Sequence, residues 1–259
     1  MTTIRWRAGR HAVHGVVRLA LACAVLTLAA CGGGEDEAAP HLSAEAALGE
    51  KMFHDPSLSA SGRQSCASCH DARFAHGAPN ALAAQLGGPD LARQGSRLAP
   101  SIRYLSSNTA FHFDAEDTPT GGFFWDGRAA SLSAQAKGPL LSPVEMANKS
   151  PAEVVARLAQ APYAGEFERV YGVGILQQPE LAFERIAQAL EKYQLEDPDF
   201  APFSSKYDAT LRKQTTLSAQ EERGLALFKD AAKGNCAACH PADLGADGSH
   251  PLFTDFTYD

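Results

Sequence analysis

The sequence is short of positive charge, with 23 Lys and Arg against 30 Asp and Glu and a net charge of −7. It offers no basic surface to the phosphates of DNA or RNA, which excludes nucleic-acid binding as a function class. A membrane-spanning run is also lacking, because the apolar or small stretch at residues 19–30 falls short of the ~20 residues a bilayer helix needs. No segment alternates apolar and polar residues for long enough to argue for a sheet. What is present is 45% apolar and 20% charged over 259 residues. That composition excludes a disordered or collagenous chain, and the length suits two small domains.

The apolar stretch at residues 19–30 follows Arg5, Arg7, Arg10 and Arg18, the layout of a secretory signal. Removal of residues 1–30 takes the net charge from −7 to −11. Leu28-Ala29-Ala30-Cys31 resembles a bacterial lipobox, with Cys31 as the lipidated first residue and residues 31–41 as a flexible tether. Cleavage after Ala30 with Cys31 incidental is the plainer alternative, but an acyl anchor accounts for a solitary cysteine at that point. The expected location is the periplasmic side of a bacterial membrane, touching lipid only through that anchor.

Four further cysteines form two C-x-x-C-H signatures, Cys66-Ala67-Ser68-Cys69-His70 and Cys236-Ala237-Ala238-Cys239-His240. This is the attachment sequence of a c-type haem. Two thiols three positions apart reach the two vinyl groups of one porphyrin, and the adjacent histidine supplies an axial nitrogen. A zinc ribbon would need its Cys pairs about 15 to 20 residues apart, whereas these are separated by 170 positions. A structural disulfide would not require His70 or His240, and neither copy follows the strand expected of a thioredoxin-like motif. Two covalently bound c-type haems are therefore expected.

The approaches to the signatures repeat at an offset of 175: Leu42, Ser43, Ala44, Gly49, Phe53 and Asp55 match Leu217, Ser218, Ala219, Gly224, Phe228 and Asp230. The spacing predicts a short helix before each haem, the second opened by a Ser218 and Glu221 capping box. Ser150-Pro151-Ala152-Glu153 predicts another helix, with Val154, Val155 and Leu158 buried. A further helix after Pro179 should bury Phe183, Ile186, Leu190 and Tyr193 and end before the Glu196-Asp197-Pro198 turn. Residues 77–94 read as an irregular loop beside the first haem. In Phe123-Phe124-Trp125-Asp126-Gly127-Arg128, residue type alone makes Trp125 a core residue. The fold class is mostly α, a duplicated cytochrome c-like arrangement with an insertion.

Two C-x-x-C-H sites flanking Phe124-Trp125-Asp126-Gly127-Arg128, then Gln135, Gly138-Pro139 and Pro143-Val144-Glu145-Met146, resemble the bacterial dihaem cytochrome c peroxidases and their relatives of the MauG type. The resemblance covers nearly all of residues 42–259. It implies a peroxidatic haem domain at 42–205, holding haem through Cys66, Cys69 and His70, and an electron-transfer haem domain at 206–259 built on Cys236, Cys239 and His240. Glu145 would shuttle a proton between the oxygens of hydrogen peroxide, with the bland alternative a solvated acid near the helix starting at Ser150. Gln135 would orient the peroxide, and Trp125 would relay electrons between the haems. Asp126 and Arg128 would pair with each other or with haem propionates.

The resemblance further implies that more chain follows. The sequence stops nineteen residues after His240, so the second domain is expected to be truncated, its other axial ligand lying beyond: Met in the peroxidases, Tyr in the MauG type. Tyr258 reads as a packed aromatic. His76 and His112 are candidates for a distal blocking histidine, each also readable as an ordinary loop residue. Relatives bind calcium between domains, but the family's Asn in Arg-Asn-x-Pro is Leu98 in Arg97-Leu98-Ala99-Pro100, which counts against that ion. The implied activity is reduction of hydrogen peroxide with electrons from a small cytochrome c or cupredoxin. Rival readings are oxidation of a partner protein's side chain and a non-catalytic dihaem electron carrier. Relatives are often dimeric, so a homodimer is compatible.

Overall fold

The computed structural model describes residues 41–258. The expected signal segment, Cys31 and the tether up to residue 40 lie outside the described residues. The helices are α1 (Ala44–His54), α2 (Leu132–Leu141), α3 (Pro151–Leu158), α4 (Ala164–Tyr171), α5 (Pro179–Glu196), α6 (Lys206–Leu211) and α7 (Ala219–Lys229). Strands among the described residues are confined to two short antiparallel ladders. One pairs β1 (Leu86–Gly87) with β2 (Arg93–Gln94), the other β3 (His112–Phe113) with β4 (Pro119–Thr120). The mostly α expectation is borne out. No helix among the described residues is long and apolar enough to cross a membrane.

Capping chemistry starts both copies of the repeat. Ser43 Oγ accepts from the Ala46 N–H at 3.1 Å to open α1. Ser218 and Glu221 form the reciprocal box that opens α7, at 3.3 and 2.7 Å. The start of α3, at Ser150 as expected, has only half of such a box. Ser150 Oγ accepts from the Glu153 N–H, but the Glu153 carboxylate accepts from the Lys149 N–H and from Arg157. Its partner one turn along the helix draws the acid away from the Ser150 N–H.

The core lies along α5, which packs against α1, α2 and α3. Phe183, Ile186, Leu190 and Tyr193 are buried there as the periodicity predicts, facing Leu48, Met52 and Phe53 of α1 and Val154, Val155 and Leu158 of α3. Each such side chain contributes about 1.5–3 kcal/mol on full burial. Gly49 permits the close crossing of α1 and α5, since a Cβ there would stand 2.7 Å from Tyr193 Cβ and closer still to the Ala189 carbonyl oxygen.

The two copies diverge in burial. α1 buries Leu48 and Met52, whereas α7 buries none of its residues. Arg223 replaces the first of these apolar positions, and Leu227, at the second, is 49% exposed.

Candidate functional site: a cavity beside the first signature

Both signatures fold into single 3-10 turns, Cys66–Ser68 and Cys236–Ala238. The His70 N–H donates to Cys66 O at 2.9 Å, and the His240 N–H to Cys236 O at 2.8 Å. The turn thus places each histidine just beyond its two thiols. His70 Nδ1 lies 3.1 Å from both His76 O and Pro100 O. Carbonyls only accept, so Nδ1 carries the hydrogen and Nε2 keeps the lone pair, as in a metal-ligating histidine. Burial lowers the His70 pKa against the pull of these carbonyls, favouring the neutral ring.

Cys66, Cys69 and His70 line a cavity of about 760 Å³ whose wall also includes Phe53, Ile102, Leu140 and Leu190. That volume lies within the ~300–1,000 Å³ typical of cofactor pockets. Burial pushes the Cys66 thiol up to about 12, with the charges of Cys69 and Glu145 acting in the same direction. The Cys69 thiol is raised as well, chiefly by burial. Two free thiols, a correctly oriented imidazole and an apolar wall fit a c-type haem.

The three residues singled out for reaction chemistry all border this cavity. Gln135 sits on α2 and is half-buried. Four residues later Pro139 lacks the N–H that would close a helical bond to the Gln135 carbonyl. Glu145 follows α2 in a turn held by its N–H to Ser142 O at 3.0 Å. Glu145 is exposed toward the cavity, while the protein atoms around its carboxyl take it partly out of water. This desolvation raises its pKa, against the lowering effect of Ser142 and of the Arg128 charge. Glu145 thus lines the cavity and is exposed at the same time, four residues after Leu141 ends α2 and five before the Ser150 cap of α3.

Trp125 requires a correction. Residue type alone made it core, but it is 53% exposed on the cavity wall, its Nε1 donating to Leu98 O at 2.9 Å. The indole N–H takes its partner at the rim, where a sealed core would have to provide one inside. Beside it Asp126 and Arg128 pair at 2.6 Å, as expected, and the Arg128 guanidinium stacks over the Phe124 ring at 3.8 Å.

Neither His76 nor His112 is among the residues that line this cavity. His76 is 2% exposed, its ring stacked on Phe200 at 4.2 Å, and its carbonyl supports His70. His112 is exposed on β3, with Nδ1 3.0 Å from Ala110 O. Residues 77–94 do lie beside the cavity, which Gln85 and Leu86 help to line, but the segment is not wholly irregular, since it contains the paired β1 and β2.

The second signature is more open. Cys236 and Cys239 are exposed, and His240 Nδ1 lies 2.9 Å from Phe253 O, repeating the orientation of His70 with one carbonyl. Thr254, Phe256, Thr257 and Tyr258, which follow, form part of the wall of the first cavity. Gly121 N donates to Phe256 O and Tyr258 N to Pro119 O, both at 2.8 Å, holding this strap against β4. Tyr258 packs near Phe111, with ring centroids 6.1 Å apart, in keeping with a packed aromatic. Sequence reasoning missed the strap and the carbonyls of His76, Pro100 and Phe253, because main-chain acceptors carry no residue-type signal.

Comparison with known proteins adds a family. Residues 43–216 match the model of the Di-haem cytochrome c peroxidase family. The chain is 40% identical over 247 residues to methylamine utilization protein MauG of Paracoccus denitrificans, covering 94% of this chain and 63% of that one. It is 35% identical over 213 residues to cytochrome c peroxidase Ccp of Escherichia coli, covering 80% and 39%. The solved diheme peroxidase BthA of Burkholderia thailandensis superposes with a TM-score of 0.76 at 38% identity, over 85% of this chain and 55% of that one. The chain thus spans between 39% and 63% of the length of these relatives.

Proposed function

Because the chain belongs to the di-haem cytochrome c peroxidase family, we propose that it is a haem-dependent oxidoreductase that reduces hydrogen peroxide to water in the cavity beside His70. A c-type haem, held there by Cys66, Cys69 and His70, would supply the iron and the electron transfer of that reaction. The carrying observation is that Glu145 borders the same cavity as these three residues, with its pKa raised by burial. A carboxyl of raised pKa is suited to accept and return a proton near neutral pH. Glu145 takes the proton from the inner peroxide oxygen and delivers it to the outer one, which leaves as water as the O–O bond breaks, and the remaining oxygen leaves as a second water after taking up two protons and the two electrons of the donor. Gln135, on the same wall, orients the peroxide by hydrogen bonding.

The segment 206–259, with Cys236, Cys239 and His240, holds the second haem as part of an electron-transfer domain, and residues 42–205 form the peroxidatic one. A small cytochrome c or cupredoxin delivers two electrons one at a time, and Trp125 relays them toward the first cavity. The mature chain works on the periplasmic side, anchored through Cys31.

A second reading, oxidation of a side chain in a partner protein, is favoured by the 40% identity to MauG over 94% of the chain. The indole of Trp125 on the cavity wall suits an electron path out of that cavity. Adding reduced cytochrome c with peroxide separates the two readings: donor oxidation supports the peroxidase, and negligible turnover supports the protein-modifying enzyme. The test of the shared chemistry is Glu145→Gln. It should leave both haems attached and slow peroxide cleavage about 100-fold or more, and an unchanged rate removes Glu145 from the reaction.

A further inference from the structure

His76 carries both a buried ring and one of the two carbonyls that face His70 Nδ1. To aim that carbonyl the chain passes through two successive non-glycine residues at positive φ, Ala75 at 55° and His76 at 53°. The left-handed region is uphill for a residue with a Cβ, and it persists only where the surroundings hold it. Main-chain bonds close the turn. The His76 N–H donates to Asp71 O at 2.9 Å, the Gly77 N–H to Phe74 O at 3.0 Å and the Ile102 N–H to His76 O at 3.2 Å. None of these bonds uses a side chain, so none of them singles out the residue type at position 76.

The ring is what the side chain adds. It stacks on Phe200 with centroids 4.2 Å and planes 23° apart, and Phe53 of the cavity wall meets it edge-on at 6.2 Å. Phe200 is fixed in turn, its carbonyl accepting from the Tyr104 N–H at 2.6 Å. The imidazole Nδ1 is buried without a partner among the described residues, so the flat face of the ring, and not a hydrogen bond of that nitrogen, holds it in place. Were the turn to relax, the His76 carbonyl would leave His70 Nδ1, and Pro100 O alone would remain. A hydrogen bond at the non-ligating nitrogen makes an axial imidazole a stronger donor, which favours ferric over ferrous iron.

We propose that His76 is a positioning residue: its stack on Phe200 holds the left-handed turn that keeps the His76 carbonyl on His70 Nδ1, and so sets how strongly His70 donates to the iron of the first haem. This rests on the reading of His70 as an axial ligand. The test is a spectroelectrochemical titration of the haem-loaded full chain. In His76→Ala one of the two midpoint potentials should rise, by a shift of about twofold to fivefold toward ferrous iron, or about 20–40 mV at ~59 mV per tenfold, while the other stays at its wild-type value. In His76→Phe, which keeps a flat ring and removes both nitrogens, that midpoint should return to wild type. A merely structural ring would lower the urea midpoint of His76→Ala and leave both potentials in place, which overturns the proposal. A His76→Phe potential equal to that of His76→Ala overturns it as well. If His76→Ala fails to load haem, Phe200→Leu removes the other face of the stack and should raise the same potential, with an unchanged value again decisive against the idea. Failure of the broader reading looks different: His70→Ala would leave the haem spectrum as it is in the wild type, and the positioning role would fall with the ligand.

Discussion

Gly49 and Gly224 hold the same place in the two copies of the repeat, yet alanine at each should move stability in opposite directions. A Cβ on Gly49 would stand 2.7 Å from both the Ala189 carbonyl carbon and Tyr193 Cβ. Unstrained carbon contacts rest at ~3.5–4.0 Å, so α1 and α5 would have to part by about 1 Å. A gap of that size forfeits about a quarter to a half of the attraction across it, along an interface containing Leu48, Met52, Phe53, Ile186 and Leu190. Overpacking costs about 1–3 kcal/mol, and more where the obstacle is backbone. The better helix propensity of alanine returns about 1 kcal/mol. With overpacking at the upper end, about 3 kcal/mol, because the obstacle is backbone, Gly49→Ala should therefore destabilise by about 2 kcal/mol, lowering Tm by about 4–8 °C for a chain of this size. At Gly224 a Cβ meets nothing within 4 Å among the described residues, so in the 259-residue chain Gly224→Ala should stabilise α7 by about 0.5–1 kcal/mol. Thermal and urea unfolding of the haem-loaded variants, followed by far-ultraviolet circular dichroism, measures both. A neutral Gly49→Ala, or equal shifts for the pair, would refute the close-crossing argument.

Burial raises the Glu145 pKa, so peroxide cleavage should fall as pH drops through a midpoint above the ~4.3 of an unperturbed glutamate. In stopped-flow pH profiles that acid limb should vanish in Glu145→Gln, and its persistence would assign it to another group. Cys236→Ser with Cys239→Ser should halve the covalent haem measured by pyridine haemochrome, leaving the haem at Cys66 and Cys69; an unchanged content would count against the second site. Burial pushes Asp208 up, but hydrogen bonds from Ser205 and His250 outweigh it and hold the carboxyl below its usual range. Its stabilisation is complete above the unfolded value of ~3.9 and drains as pH falls through the lower folded value. Asp208→Asn should therefore lose stability in urea at about pH 6 and approach wild type near pH 3, whereas an equal deficit at both would rule out the charged form as the source.

What was legible in the sequence was local. The Ser43, Ser150 and Ser218 caps and the apolar period of α5 lie within a few residues of one another, so helix starts and the faces of α3 and α5 could be read directly. Burial of α7 could not, because whether Leu227 is covered depends on what packs against it. The environment of Glu145 is set by Gly87 and Gly88, more than fifty positions earlier, and nothing in Pro143-Val144-Glu145-Met146 encodes that approach. Trp125 was misjudged by residue type because an indole has a polar edge, and its position followed the partner of that edge, Leu98 O.

The two signatures differ only at Ser68 and Ala238 and share their 3-10 turn and a histidine Nδ1 set against a main-chain carbonyl, so most of the difference between them comes from their surroundings. His70 is tied by two carbonyls within a cavity wall, whereas His240 is tied by one and its neighbouring cysteines are exposed. Hydrogen bonding at the non-ligating ring nitrogen tunes the basicity of an axial imidazole, and burial tunes the potential of the metal it holds. Among the described residues the C-x-x-C-H pattern is thus backed by two carbonyls in the first copy and by one in the second. Nor are the sites mechanically separate. Phe253, whose carbonyl orients His240, leads directly into Thr254, Phe256, Thr257 and Tyr258 of the first cavity, and that strap is hydrogen-bonded at Gly121 and Pro119. A shift of the His240 ring must either break its bond to Phe253 or pull on the wall that encloses the cavity of Glu145.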